Sequence, residues 1–302
     1  ESRMLHPFPT PNWEKIDIND YQLCPMQYVR RGKKIASIIA TKGCPNMCSF
    51  CAHPALFGRK LIKRPPKEVV DEIEYLVRKR GVDEIHVMDD TFNCDLRYAK
   101  EILSDWSNRK IKVRWKAVHG LWIHSFDDEW FSLLKRTGCY QVGFGIESGV
   151  QSILDNVKKP ICLQEIGDVI SKYKNCGIST FGFFILGLPG ETDETIDKTI
   201  RFACELPLDH IHVSVFTPYP GSPLYDEAVK EGKACREWEK YYHYRHFDSC
   251  YDSDLTLKQL RKKLKRFYCH FYSKPSRAFG LAKEIRRTGL SQFFRIIKKI
   301  YE

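Results

Sequence analysis

From Gly32 to Phe216, short runs rich in β-branched and aromatic residues alternate with longer segments of helical periodicity, and this alternation constrains the fold most. Strand-like runs fall near Ile35–Thr41, Glu84–Met88, Lys112–Ala117, Gln141–Ile146, Ser179–Leu186 and Ile211–Phe216. Helical patterns fill the gaps at Pro66–Arg80, Asp95–Trp106, Asp127–Arg136, Leu163–Cys176 and Glu194–Cys204, with Gly81, Gly138 and Gly177 at three of their ends. Repeated βα units with right-handed crossovers build a parallel sheet, either open and doubly wound or curled into a partial barrel, and periodicity does not separate the two. Beyond Gly221 the chain turns charged and aromatic, and helices are expected at Leu224–Glu231, Thr256–Tyr272 and Ser291–Ile300. The expected organisation is a linker or N-terminal extension over 1–31, a βα domain over 32–225, and a basic, mainly helical C-terminal region over 226–302. The opening run is Pro-rich and lacks an initiator Met, as expected of a piece of a longer polypeptide. The longest apolar stretch, Phe181–Leu188, is far short of the ~20 residues that span a bilayer.

Twelve cysteines in 302 residues are too sparse and irregular for a secreted disulfide scaffold, so a reducing cytoplasm is the expected compartment. Three of them stand apart. TKGCPNMCSFCAHP follows the first strand and puts Cys44, Cys48 and Cys51 in a loop at a strand's carboxyl end, where α/β folds place their chemistry. Thiolates this close repel unless a metal holds them, and soft sulfur ligands select zinc, copper or iron–sulfur clusters. Three thiolates satisfy three irons of a [4Fe-4S] cluster and leave the fourth open. Structural zinc would need a fourth ligand, locally His53, and a loop of unused thiols is the bland alternative. The other nine cysteines form no second cluster and read as core or incidental thiols.

The spacing C-x3-C-x2-C in CPNMCSFC resembles the radical S-adenosylmethionine (SAM) superfamily. The resemblance implies a partial (β/α)6 barrel of the radical SAM type with a small C-terminal helical extension, agreeing with the six strands counted independently. It implies that Cys44, Cys48 and Cys51 ligate a [4Fe-4S] cluster, whose open iron chelates SAM, and that Phe50 packs beside the adenine. One electron then cleaves SAM to methionine and a 5′-deoxyadenosyl radical.

Further motifs lie at strand ends. EIHVMDDTF closes the second strand, and its Asp90, with Asp89 beside it, resembles the position that contacts the SAM amino group; a helix cap or solvated turn is the plain alternative. QVGFGIESG closes the fourth, where Glu147 and Ser148 could hydrogen-bond the ribose or methionyl part of SAM. Its GIESG resembles radical SAM enzymes that are often cobalamin-dependent. In FGFFILGLPGET, Gly187 and Glu191 either shape the cofactor site, as in the matching family segment beside the adenine, or form a simple turn and cap. On the third strand, Lys116 could pair with the SAM carboxylate or face solvent, and His119 could be functional or structural. TPYPGSPLY after the sixth strand resembles the same cobalamin-linked subgroup, with Tyr219 facing either substrate or core. No Asp-x-His-x-x-Gly cobalamin loop occurs, so cobalamin would come through a missing domain or a partner.

The expectation is therefore a radical SAM enzyme that abstracts a substrate hydrogen for cobalamin-linked C-methylation. The alternatives are radical cyclisation, rearrangement or oxidation, and a noncatalytic metal-binding module. The partners implied are a small-molecule or lipid-like substrate and an electron donor such as flavodoxin or ferredoxin. A formal charge of +11 and a tail interleaving Lys and Arg with Phe293, Phe294, Ile296, Ile297 and Ile300 suit an acidic partner or peripheral contact with an anionic inner membrane surface, or packing of the tail on its own domain. Nucleic acid is less favoured, since no recognised binding fold accompanies the charge.

Overall fold

A computed structural model describes residues 8–18, 34–234, 251 and 254–288. Its central sheet follows from strands buried on the helix side and alternately spaced on the inner side. β1 (Ile35–Ile38), β4 (Glu84–Val87), β5 (Arg114–Ala117), β6 (Cys139–Glu147), β7 (Ser179–Leu186) and β8 (His210–Val215) lie in that order, every neighbouring pair parallel. In β7, Thr180, Gly182, Phe184 and Leu186 are buried, while Phe181 and Phe183 belong to the opposite, inner face. β1 and β8 are the two edges, so the sheet is an open, partial (β/α)6 barrel.

The helices between the main strands are those the periodicity predicts except the short α1 (His53–Phe57) and α5 (Gln151–Asn156), and local chemistry sets their ends. α2 (Pro66–Arg78) starts on a proline and buries Val69, Val70, Ile73 and Leu76. α3 is Leu96–Asn108. α4 (Asp128–Thr137) begins where Asp127 accepts the amide N–H of Trp130 and ends at Gly138. α6 is Leu163–Asn175, and α7 (Asp193–Glu205) opens with a Thr192–Thr195 capping box. α8 is Pro223–Lys230.

The first strand departs from expectation. Its sheet pairing stops at Ile38, and Thr41–Lys42 (β2) instead pairs antiparallel with Ile62–Lys63 (β3) around the five-residue helix α1 (His53–Phe57). The cause is Asp89, which accepts the N–H groups of Ala40 and Thr41 at 3.0 and 2.6 Å and the Thr41 hydroxyl at 2.7 Å, turning the chain out of the sheet.

α9 (Leu257–Tyr272) closes the β8 edge. Tyr268 Oη accepts the Val213 N–H at 3.0 Å and Tyr272 Oη the Ile211 N–H at 3.4 Å, so the ladder donors are satisfied by side chains rather than left open. Leu260, Leu264, Phe267 and Phe271 join the barrel's core, and buried Lys263 reaches Asp193 and Asp197 of α7, each at 2.7 Å. α10 (Pro275–Thr288) contributes Arg277, whose guanidinium donates to the carbonyls of Cys204, Leu206 and Leu208. The helix expected at Ser291–Ile300 lies outside the described residues, as does most of 1–31. Among the described residues, no helix is long and apolar enough to cross a membrane.

A buried ionic knot straps residues 10–16 to α2. Trp13 Nε1 donates to Glu72 Oε1 at 2.6 Å, Arg64 pairs with Glu72 Oε2 at 2.6 Å and donates to the Thr10 hydroxyl at 2.6 Å, and Arg80 holds the carbonyls of Trp13 and Ile16. The Arg64 and Glu72 side chains are each 1% exposed, so Arg64→Ala strands a buried carboxylate. We expect it to cost about 3–5 kcal/mol, and an Arg64→Met/Glu72→Leu double change to cost much less, as read from urea denaturation midpoints.

Candidate active site

The carboxyl ends of the strands and the loop after β2 enclose a cavity of about 290 Å³. Gly43 opens the loop with φ +91°, and a Cβ there would collide with the Lys60 carbonyl, so the tight entry is available only to glycine. Cys44, Cys48 and Cys51 all line the cavity, with Phe50 and His53 beside them. The nine described cysteines are all free thiols. Burial pushes the Cys48 thiol up to about 11 and raises Cys51 as well, so thiolates here need a cation's charge to be stable. Three soft donors converging on one half-buried loop fit a thiolate-held iron–sulfur centre. The zinc alternative would take its fourth ligand from His53, whose Nε2 lies 2.7 Å from Asp90 Oδ1 and whose Nδ1 is buried without a hydrogen-bond partner.

Of the other residues singled out from the sequence, Phe50, Asp90 and Glu147 line the same cavity, as does His119. Burial raises the Asp90 carboxyl, with His53 and His119 opposing it. Glu147 closes β6 with φ +66°, a strained setting for a non-glycine residue, which aims its carboxylate at Lys159 Nζ, 2.9 Å away. Burial works against the Lys159 ammonium, yet Glu147 and then Cys48 outweigh it and hold the lysine above its usual range.

The remaining residues lie behind the cavity wall or away from it. Ser148 is buried 3.2 Å from the Thr199 hydroxyl of α7. Glu191 accepts the N–H groups of Gly187 and Leu188 at 2.7 and 3.1 Å, tying the β7 exit into a fixed turn. Lys116 neither faces solvent nor lines the cavity. It is 4% exposed, and its register partner across the sheet is His86, in a buried polar layer with Glu84.

Lys159 lines the cavity although no sequence motif singles it out. Twelve positions after Glu147, it returns to the site only because the short helix α5 (Gln151–Asn156) turns the chain back. Its one local signal is the Lys-Lys-Pro run, where Lys158 takes φ +54°. Trp122, Ile123, Phe144, Ile161 and Phe183 supply an apolar wall, with Phe144 on β6 and Phe183 on β7.

This barrel and its cysteine loop define a class: residues 38–203, more than half of the chain, match the Radical SAM superfamily, and the chain belongs to it. An uncharacterized methyltransferase of Pyrococcus horikoshii is 30% identical over 272 residues, covering 87% of this chain and 57% of that protein. The cytidylyl-2-hydroxyethylphosphonate methyltransferase of Streptomyces wedmorensis is 29% identical over 76% of this chain and 44% of its own length. The chain thus spans about half the length of these curated relatives. In fold it is similar to TsrM, a radical SAM methyltransferase from Kitasatospora setae solved with cobalamin and a [4Fe-4S] cluster bound. The TM-score is 0.61 at 24% identity, over 68% of this chain and 41% of that one.

Burial pushes Glu191 up to about 7, above its ordinary 4.5. The folded state then holds a proton that the unfolded state has lost, so stability falls as pH rises from about 4.5 to 7. Glu191→Gln should flatten that decline, seen by comparing denaturation midpoints of both proteins at the two ends of the window.

Proposed function

We propose that this chain is the catalytic barrel of a radical SAM methyltransferase acting with cobalamin, which a further domain or a partner protein would hold. One observation carries the proposal: the three-cysteine loop opens into the same cavity as Asp90, the Glu147–Lys159 pair and an apolar wall. The Pyrococcus and Streptomyces relatives bear the name methyltransferase and the Kitasatospora methyltransferase was solved with cobalamin, which supports methyl transfer. Two relatives 31% identical bear the name anaerobic magnesium-protoporphyrin IX monomethyl ester cyclase, which makes radical cyclisation the second reading.

Cys44, Cys48 and Cys51 would hold the [4Fe-4S] cluster, which when bound supplies the electron that cleaves SAM. Lys159 presents a fixed positive charge next to the cysteine loop, suited to the SAM carboxylate, and Glu147 keeps that charge in place. Asp90 gives Oδ1 to His53 and has a second oxygen to offer the SAM ammonium. Phe50 offers a ring to the adenine. Trp122, Ile123 and Phe183 exclude water from the place where a radical would meet a substrate hydrogen, and they favour a substrate with an apolar reacting end. Ser148, Gly187 and Glu191 act behind these contacts by fixing the exits of β6 and β7.

The test is 5′-deoxyadenosine formation from SAM after anaerobic cluster reconstitution and reduction, with a Cys44/Cys48/Cys51 triple-alanine control, followed by methyl transfer with added cobalamin. Wild-type product absent from the control is expected. An intact cluster that yields no product above the control would overturn the proposal. Lys159→Met should keep the cluster's absorbance and raise the SAM concentration for half-maximal rate by about tenfold, the loss of one charge-assisted contact.

A further inference from the structure

Two glycines of β6 serve for space rather than for backbone conformation, since neither Gly143 nor Gly145 has a left-handed φ. A Cβ on Gly145 would strike the Glu147 carboxylate and the Lys159 ammonium, so that glycine makes room for the ion pair. A Cβ on Gly143 would strike the Phe183 ring at 2.5 Å, so the ring rests on bare backbone there. Phe181 packs against the same ring with centres 5.4 Å apart. Phe183 is thereby held in one place at the cavity wall.

A second ring is fixed by a different device. Beyond Gly120 the exit of β5 is pinned to β6, where the Leu121 N–H donates to the Gly143 carbonyl at 2.9 Å. Leu121 and Ile123 join the core, and Trp122 between them is half-buried and lines the cavity. Asn93, 0% exposed, locks this turn. Its Nδ2 donates to the carbonyls of Trp122 and Ser125 at 2.8 and 2.7 Å, and its Oδ1 accepts the Trp122 N–H at 2.6 Å. The Asn93 carbonyl accepts the Ser125 hydroxyl at 2.7 Å. Both side-chain hydrogens of a buried amide are thus spent on orienting the turn that carries one indole. Trp122 Nε1 is buried without a hydrogen-bond partner, a donor that the protein does not itself use. An aliphatic group gains from burial against any apolar surface, whereas a flat ring gains further from ring faces held at defined planes.

We propose that Trp122 and Phe183 form a slot for a flat unsaturated ring of the substrate, one carrying a hydrogen-bond acceptor for Trp122 Nε1–H, and that Asn93 is the positioning residue of the slot. The inference rests on the radical SAM function proposed above and names the substrate class of that site. The ring enters beside the cysteine loop, and the clamp on its plane sets which ring atom faces the reacting end of the cavity.

The experiment uses the full chain with its cluster reconstituted and two uncharged probes that both carry an acceptor, flat quinoline and puckered cyclohexanone. Binding is read by saturation-transfer NMR. Quinoline should bind about tenfold more tightly than cyclohexanone, and Trp122→Leu should remove that preference, with Trp122→Phe intermediate because it keeps a ring face and loses the donor. Asn93→Ala should weaken quinoline binding severalfold in the wild-type background and by nothing further in a Trp122→Leu background, a non-additivity that general loss of stability does not produce. Asn93→Asp, which keeps the acceptor, repeats the comparison should the alanine variant fail to fold. Equal affinity of the two probes, or a preference that survives Trp122→Leu, would overturn the slot. So would displacement of quinoline by saturating SAM, which would give the rings to the adenine. Additive effects of the two substitutions would remove Asn93 from the proposal. Absence of 5′-deoxyadenosine from the wild type would defeat the functional reading, whereas the ring preference is read from binding alone.

Discussion

The buried carboxylate of Asp89 is the contact on which the site depends. By accepting two backbone N–H groups and a hydroxyl from residues 40 and 41, it ends the first strand's pairing and directs the chain into the cysteine loop. Burial pushes this carboxyl up to about 6, and the three donors work in the opposite direction, so the buried group is satisfied. Asp89 and Asp90 are adjacent in sequence yet divide the labour. One braces the loop from within, while the other faces the cavity beside His53.

The rest of the fold supports that loop by the same kind of contact, a buried polar group placed where backbone donors or acceptors would otherwise be unpaired. Glu191 fixes the β7 exit, the Ser148–Thr199 hydroxyl pair joins the β6 exit to α7, and Arg277 gathers carbonyls between α7 and β8. An open barrel has two free edges, and here tyrosines of α9 cover the β8 side. The C-terminal helices therefore take part in the barrel's own core and do not merely follow it.

Much of this was legible in the residues. All six main strands lie within a few positions of the runs read from the residues, β7 at its observed limits, because β-branched and aromatic runs set between helical periods are a local signal. Two-residue strands such as Thr41–Lys42 have no period to detect, the six-residue α5 is too short to show a face, and α10 has Gly280 in its middle. The GIESG motif singles out Glu147, which lines the cavity. No local pattern singles out Lys159, since its ion-pair partner lies across a turn of chain whose path no local pattern records. Lys116 illustrates the opposite case: a cation at a strand end looks suited to a ligand, and only the packing of β4 against β5 places it in a buried polar layer with Glu84 and His86.

The sequence alone determined the succession of βα units and pointed to a metal centre, because strand and helix periods are local and three cysteines within eight residues need no distant partner to suggest one, while periodicity left the open sheet and the partial barrel unseparated. Tertiary structure decided which charges reach that centre. Closing the sheet's carboxyl ends around one cavity brings Lys159 and Glu147 to the cysteine loop and leaves Lys116 behind. Such choices depend on strand register and chain reversal, which are set by the summed packing of the whole barrel and not by any one segment.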